Sequence, residues 1–262
     1  NSERCVMKIP SFQGAEERRE RFKQNKSLLM IEKKATLKHG DISTYSPSET
    51  ANKAVNKASD TLQVKAVINT IGVLDSHGDV HMAGIWNKTV QENKAPYLLQ
   101  EHKMAFDSII SDNVKPSVEV ISWKELGVNA IGSTEVLMFN AEVSKDRNEF
   151  MFNQYKNGWV RNHSVGMQYV KIAFAVNDPE MEEEYKEWQA TIDKIINKEV
   201  AEQNGYYFTV YEAKMVEGSA VPVGSNSVTP TLETKDNEPS KDTQEKKPPL
   251  GTSENNSIYS FI

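Results

Sequence analysis

One cysteine, Cys5, occurs in 262 residues, so no internal disulfide framework can form and the composition suits a reducing compartment. Cys5 lies in a polar N-terminal stretch and reads as a structural or accidental thiol rather than a nucleophile. Long apolar runs are missing as well. The longest near the N-terminus, Leu28-Leu29-Met30-Ile31, is too short for a membrane span or a signal peptide, so a soluble, unsecreted protein without membrane contact is expected. No Gly-x-Gly-x-x-Gly, P-loop or Gly-x-Ser-x-Gly elbow occurs, which argues against nucleotide-binding and α/β-hydrolase folds. No excess of basic charge is present either. A formal net charge of -6 favours solubility and speaks against direct, sequence-independent nucleic-acid binding. The apolar share of 38% is low for a globular chain because both ends are polar. Because residue 1 is Asn rather than Met, a fragment or a processed product is expected.

Three regions follow from composition. Residues 1–60 form a polar, basic N-terminal arm and linker, with twelve Lys and Arg against eight Asp and Glu. Glu16 to Arg21 suits a short solvated helix held by acid–base pairs three and four apart, and Ser43 to Asp60 reads as a linker. The arm could dock on an acidic partner, but an ordinary solvated extension is the simpler expectation. Residues 61–228 carry the hydrophobic patterning of a folded domain. Residues 229–262 are polar and have little to bury, so a disordered tail is expected, ending in the small apolar tip Ile258 to Ile262.

The central region reads as strand-rich. Leu62 to Ile68 alternates, Asp75 to Val80 is turn-rich, and Tyr97 to His102 is an apolar strand ending on a histidine. Pro116 to Trp123 and Ala130 to Phe139 supply two further strands, with Gly127 and Asn129 between them. Asp146 to Asn157 suits a short helix presenting Phe150, Met151 and Tyr155, and Asn157-Gly158 stops it. From Asn177 or Asp178 as N-cap, the spacing of Met181, Tyr185, Trp188, Ile192 and Ile195 predicts one long amphipathic helix ending at Asn204-Gly205. Tyr206 to Val216 is then the last strand. The expected fold class is α+β: a mainly antiparallel β-barrel flanked by helices, with the long helix before the last strand.

Ser164 sits where a turn becomes a strand and is the candidate nucleophile. A serine hydroxyl needs a base and an oxyanion site before it reacts at neutral pH. His163 is adjacent, but neighbours on a strand project to opposite faces, so it is the wrong partner. His102 closes an apolar strand and is the candidate base, its ordinary pKa of ~6.5 leaving it mostly neutral at pH 7. His39 lies in the basic arm and is assigned nothing. Glu217 is the candidate third member, because a carboxylate at the end of a hydrophobic strand needs a cationic partner if it is buried. Glu212 is the alternative, on the opposite face of the same strand. His77, Asp79 and His81 alternate like metal ligands, yet Ser76 and Gly78 favour a turn that breaks their common face. No metal and no cofactor is therefore assigned.

With these residues assembled, the chain resembles the prohead, or capsid-maturation, proteases of tailed phages, a family similar in fold to the herpesvirus assemblins. The likeness runs from about Leu62 to Val228. Asp75 to Trp86 is similar to the family's opening loop, and Leu98-Leu99-Gln100-Glu101-His102 to the strand carrying its catalytic histidine. His163-Ser164-Val165-Gly166-Met167 resembles the nucleophile motif Ser-(Ile/Val)-Gly-aromatic. Val216-Glu217-Gly218-Ser219-Ala220-Val221-Pro222 resembles the closing Glu-x-Ser-x-Val strand, and Ser225-Asn226-Ser227 stands where the family has Ala-Asn-Pro. Lys103 departs from the usual Asp, His163 from a small residue and Met167 from an aromatic one.

The resemblance implies a serine endopeptidase with Ser164 as nucleophile, His102 as base and Glu217, rather than His77, His81 or His163, as third member. It implies substrates too: the scaffold protein, the N-terminal segment of the major capsid protein, and the chain itself, with the tail as the first place to seek self-cleavage. The implied location is the host cytoplasm, inside the immature capsid. Oxyanion donors near Gly166 or on a neighbouring loop are implied without being located. Homo-oligomerisation stays open. Two other readings stand beside this one: a non-catalytic capsid-assembly or scaffold protein with a protease-like domain, and a metal-dependent hydrolase.

Overall fold

Alternation in the longest apolar strands decides how the molecule is layered. In the computed structural model, which describes residues 14–35, 60–93 and 95–236, β1 (Thr61–Thr70) turns Leu62, Val64, Ala66 and Ile68 into the main core. Its neighbour β6 (Ser133–Ser144) adds Leu137, Phe139, Ala141 and Val143 to the same cluster. The four-stranded sheet runs in the order β5 (Val114–Ser122), β6, β1, β9 (Thr231–Asp236). A second sheet of five strands is built on β8 (Tyr206–Val221), whose length lets it carry two short parallel partners end to end. These are β2 (Asp79–His81), beside Phe208 to Val210, and β3 (Tyr97–Gln100), beside Glu217 to Ala220; β4 (Ile109–Ser111) extends β3. Along its other edge β8 pairs antiparallel with β7 (Asn162–Val176). Met167, Met215 and Ala220 bring this sheet into the same core; the short helix α2 (Asn87–Glu92) packs Val90 against it, and α3 (Glu149–Lys156) completes it with Met151, Phe152 and Tyr155.

The α+β class with mostly antiparallel pairing holds, but the described residues form no closed barrel. The reason lies in β1. A barrel would need its second edge for the other sheet, and β9 takes that edge instead. The two sheets therefore face each other across a shared apolar layer. β9 also corrects the expected tail: residues 229–236 are ordered, with Thr229 buried against His163 and Pro230 accepting a hydrogen bond from Val67 N–H. Β-branched Thr231 and Thr234 with Leu232 form the ladder that an overall polar composition concealed. Residues 237–262, with the apolar tip, lie outside the described residues, as do Cys5, His39 and most of the linker.

The predicted long helix is two. α4 (Glu182–Thr191) gives way to a single tight turn over Ile192–Lys194, and α5 (Lys198–Asn204) follows. At the break, Ile196 N–H donates to Gly72 O, and the Asn197 side chain bonds both the N–H and the carbonyl of Leu74, at 2.9 Å each. These long-range bonds displace helical ones, and the apolar stripe carries across the break because Trp188 and Ile195 both reach one cluster. Asp178 caps an Asx turn, accepting from Glu180 N–H, one turn before the helix begins.

The arm is more than a short solvated helix. α1 (Ala15–Ala35) lays Phe22 edge-on against Phe174 and Tyr206, with ring centroids 4.8 Å apart in each case. Its charges meet acids of the same chain: Arg19 pairs with Asp178 at 2.7 Å, Lys26 with Glu184, and Lys33 with Asp79 at 2.8 Å. The Lys33 and Asp79 side chains are both buried.

Candidate active site

Antiparallel register puts the site together. Ser164 stands opposite Ser219, and Gly166 opposite Glu217. Directly paired residues, and residues two apart, share a face, so Ser164, Gly166, Glu217 and Ser219 all project from one side of the β7–β8 ribbon. The missing side chain of Gly166 is what the Glu217 carboxylate occupies; a Cβ there would overlap Glu217 Oε1 and Cδ. On the other side Gly218 leaves room for the Phe139 ring. Glu217 is thus a buried acid lying flat across its neighbour strand.

His102 does not end a strand as expected: β3 stops at Gln100, and Glu101 and His102 form a corner beyond it. Residues Glu101 and His102 have φ of 52° and 57°, the left-handed region that costs a residue with a side chain about 1–2 kcal/mol. These two are the only described residues other than glycine with positive φ. The corner is held by Glu101 N–H on Ala220 O at 3.0 Å, Lys103 N–H on Gln100 O at 3.0 Å, and His102 N–H on Ser219 Oγ at 3.1 Å. It swings the imidazole over β8, where Nδ1 meets Glu217 Oε1 at 2.6 Å. Ser219 Oγ donates to the other carboxylate oxygen, Oε2, at 2.6 Å.

The three predicted residues therefore come from β7, the β3 corner and β8 to one face of one sheet. His102 and Glu217 are joined directly. Ser164 shares their face at low exposure, but among the described residues no hydrogen bond joins its hydroxyl to His102. With Nδ1 committed to a carboxylate, the lone pair that can take a proton is on Nε2.

The alternatives separate cleanly. His163 points to the core side: Nδ1–H donates to Thr229 O at 3.1 Å, and Nε2 accepts from Tyr155 OH at 3.0 Å. Burial pushes His163 down to about 4, a weak base with both nitrogens occupied. Glu212 is partly exposed and pairs with Lys88 at 3.1 Å. His77, Asp79 and His81 do not converge. His77 is exposed, Asp79 holds Lys33 and accepts from Tyr169 OH at 2.5 Å, and buried His81 meets Asn69 and falls to about 4. Among the described residues no group of three or more His, Cys, Asp or Glu could hold a metal. A hollow of about 660 Å³ beside Ile71, Trp123, Ile131 and Lys194 includes none of the three candidates.

Two features escaped sequence reading. The hydroxyl of Ser219 was visible only as part of a motif, and the left-handed corner at Glu101-His102 has no sequence signal, since neither residue is glycine. No family model, curated protein or solved structure matches the chain. The class that fold and site suggest therefore rests on geometry and on the motif resemblance.

Proposed function

We propose that the chain is a serine endopeptidase of tailed-phage capsid maturation, acting inside the immature capsid on scaffold protein, on the N-terminal segment of the major capsid protein and on itself. The observation that carries the reading is the delivery of Ser164, His102 and Glu217 by three separate segments to one sheet face, with His102 oriented by a buried carboxylate. In the proposed reaction His102 Nε2 takes the Ser164 proton as Oγ bonds to the peptide carbonyl carbon. His102 then returns that proton to the leaving amine, and water repeats the cycle to release the acyl group and restore Ser164. Catalytic hydrogen bonds often tighten only when substrate is bound, so the unjoined hydroxyl does not rule the reaction out.

Exposure of the purified chain to a fluorophosphonate probe, followed by intact-mass measurement of wild type and Ser164→Ala, tests this. One adduct on wild type, none on the variant, and chain ends trimmed only in wild type are the expected results. No adduct and identical ends overturn it. The second reading is a non-catalytic capsid-assembly protein that keeps a protease-like domain, and the missing bond between Ser164 and His102 favours it. That reading requires the Ser164→Ala pattern to equal the wild-type one.

A further inference from the structure

We infer that Ser219 is a positioning residue that fixes which nitrogen of His102 carries the proton; the inference deepens the peptidase reading and takes its catalytic meaning from it. The direction of one hydrogen bond at this corner is fixed by its donor. A backbone N–H only donates, and His102 N–H points at Ser219 Oγ at 3.1 Å. Ser219 Oγ therefore accepts there, and its single proton goes to Glu217 Oε2, 2.6 Å away. A carboxylate only accepts, so with Oε2 taking the Ser219 proton, Oε1 accepts from His102 Nδ1 at 2.6 Å. The imidazole proton is thus placed on Nδ1 and the lone pair on Nε2, the atom that the proposed reaction uses.

The same hydroxyl clamps the strained corner. His102 holds φ of 57°, and its own N–H is one of the bonds that keep it there. Such backbone strain persists only where surrounding contacts over-determine it. Ser219 is fully buried, so no water replaces its hydroxyl without rearrangement. Backbone and side chain of one histidine are consequently tied through one oxygen: the loop cannot relax without loosening the carboxylate, and the carboxylate cannot turn without releasing the loop. In series, these bonds polarise one another.

Nitrogen-15 spectra of histidine-labelled protein, with His102 assigned by His102→Gln, test the inference without requiring turnover. Wild type is expected to show His102 as a single Nδ1–H tautomer in its neutral form. Ser219→Ala is expected to show a mixture of tautomers. Ser111→Ala is the control, because Ser111 is also a buried serine bonding backbone, at 2.6 Å to Glu142 O, but away from His102; it is expected to leave the tautomer unchanged. An unchanged Nδ1–H form in Ser219→Ala overturns the inference, as does an equal change in Ser111→Ala. Fluorophosphonate labelling supplies the second arm, with Ser219→Ala slowed roughly ten- to a hundredfold, the range spanned by one lost hydrogen bond to a charged group. If wild type is not labelled at all, the peptidase reading fails, and the tautomer measurement still decides the role of Ser219.

Discussion

Gly166 and Glu217 show how a site can depend on an atom that is absent. The carboxylate reaches His102 by lying over a position with no Cβ, and both its oxygens are held, so it has no easy rotamer to retreat to. Gly166→Ala is therefore expected to keep the fold at a cost of about 1–3 kcal/mol, the usual price of one extra methyl in a packed place. On the proposed peptidase reading its effect on chemistry is larger. Displacing Glu217 frees the imidazole, and labelling of Ser164 should fall on the order of 10²- to 10⁴-fold, the upper figure being the loss known when a triad histidine sits in the wrong tautomer. A variant that unfolds less than the wild type and labels at the wild-type rate would contradict this arrangement. At this scale the sequence was informative where spacing alone sets a face: Ser164 away from His163, and Glu217 buried. The Ser219 link was hidden because a serine in a strand carries no signal of what its hydroxyl will meet.

Among the elements, α1 was the least legible. Its face toward the body consists of Phe22, Lys26, Leu29 or Met30 and Lys33, a spacing of helical period in which two of the positions are charged. Hydrophobic periodicity misses a helix that docks through ion pairs. The Lys33 and Asp79 pair is buried on both sides, so removing one charge strands the other. Lys33→Met is expected to lower stability in urea by about 3–5 kcal/mol, and Lys33→Met with Asp79→Asn to recover more than half of that loss. A single variant that loses under about 1 kcal/mol would mean that Asp79 is reached by water once the lysine is gone. The break between α4 and α5 teaches the same lesson from the other side. Local pattern favours one helix through Ile195 and Ile196, and hydrogen bonds from Gly72 and Leu74, more than a hundred residues earlier in the chain, divide it.

Over the whole molecule, buried titratable groups set how stability follows pH. Burial lowers His81 and His163 from 6.5 to about 4, so the unfolded chain binds more protons between those values and stability falls as pH drops through that window. Asp75 has the opposite sign. Burial, with the charge of Asp79 beside it, raises it from 3.8 to about 7, so the folded chain binds the extra proton and stability falls as pH rises across that range. Below about pH 7 the two histidines outweigh the one acid, and above it Asp75 outweighs what is left of the histidine protonation, which places the optimum contributed by these groups near pH 7. Asp75→Asn keeps the Oδ1 acceptor used by the N–H groups of His77 and Asp79 and removes the charge. Its gain in stability is expected to be about 2 kcal/mol greater at pH 8 than at pH 5, read from urea unfolding at each pH. Equal gains at both would show that Asp75 does not titrate in this way.

Alternation and turn chemistry are short-range, and they were enough to mark most strands, the turn at Asp75 to Val80 and the α3 helix, and to single out Ser164, His102 and Glu217 as candidates. Pairing is long-range. Which strand takes the free edge of β1, whether a stripe of apolar residues forms one helix or two, and where a basic arm finds its acids all depend on groups distant in the chain. The corner that carries His102 is the sharpest case: its φ is unfavourable for histidine on its own, and it exists because β8 supplies Ser219, Ala220 and Glu217 to hold it.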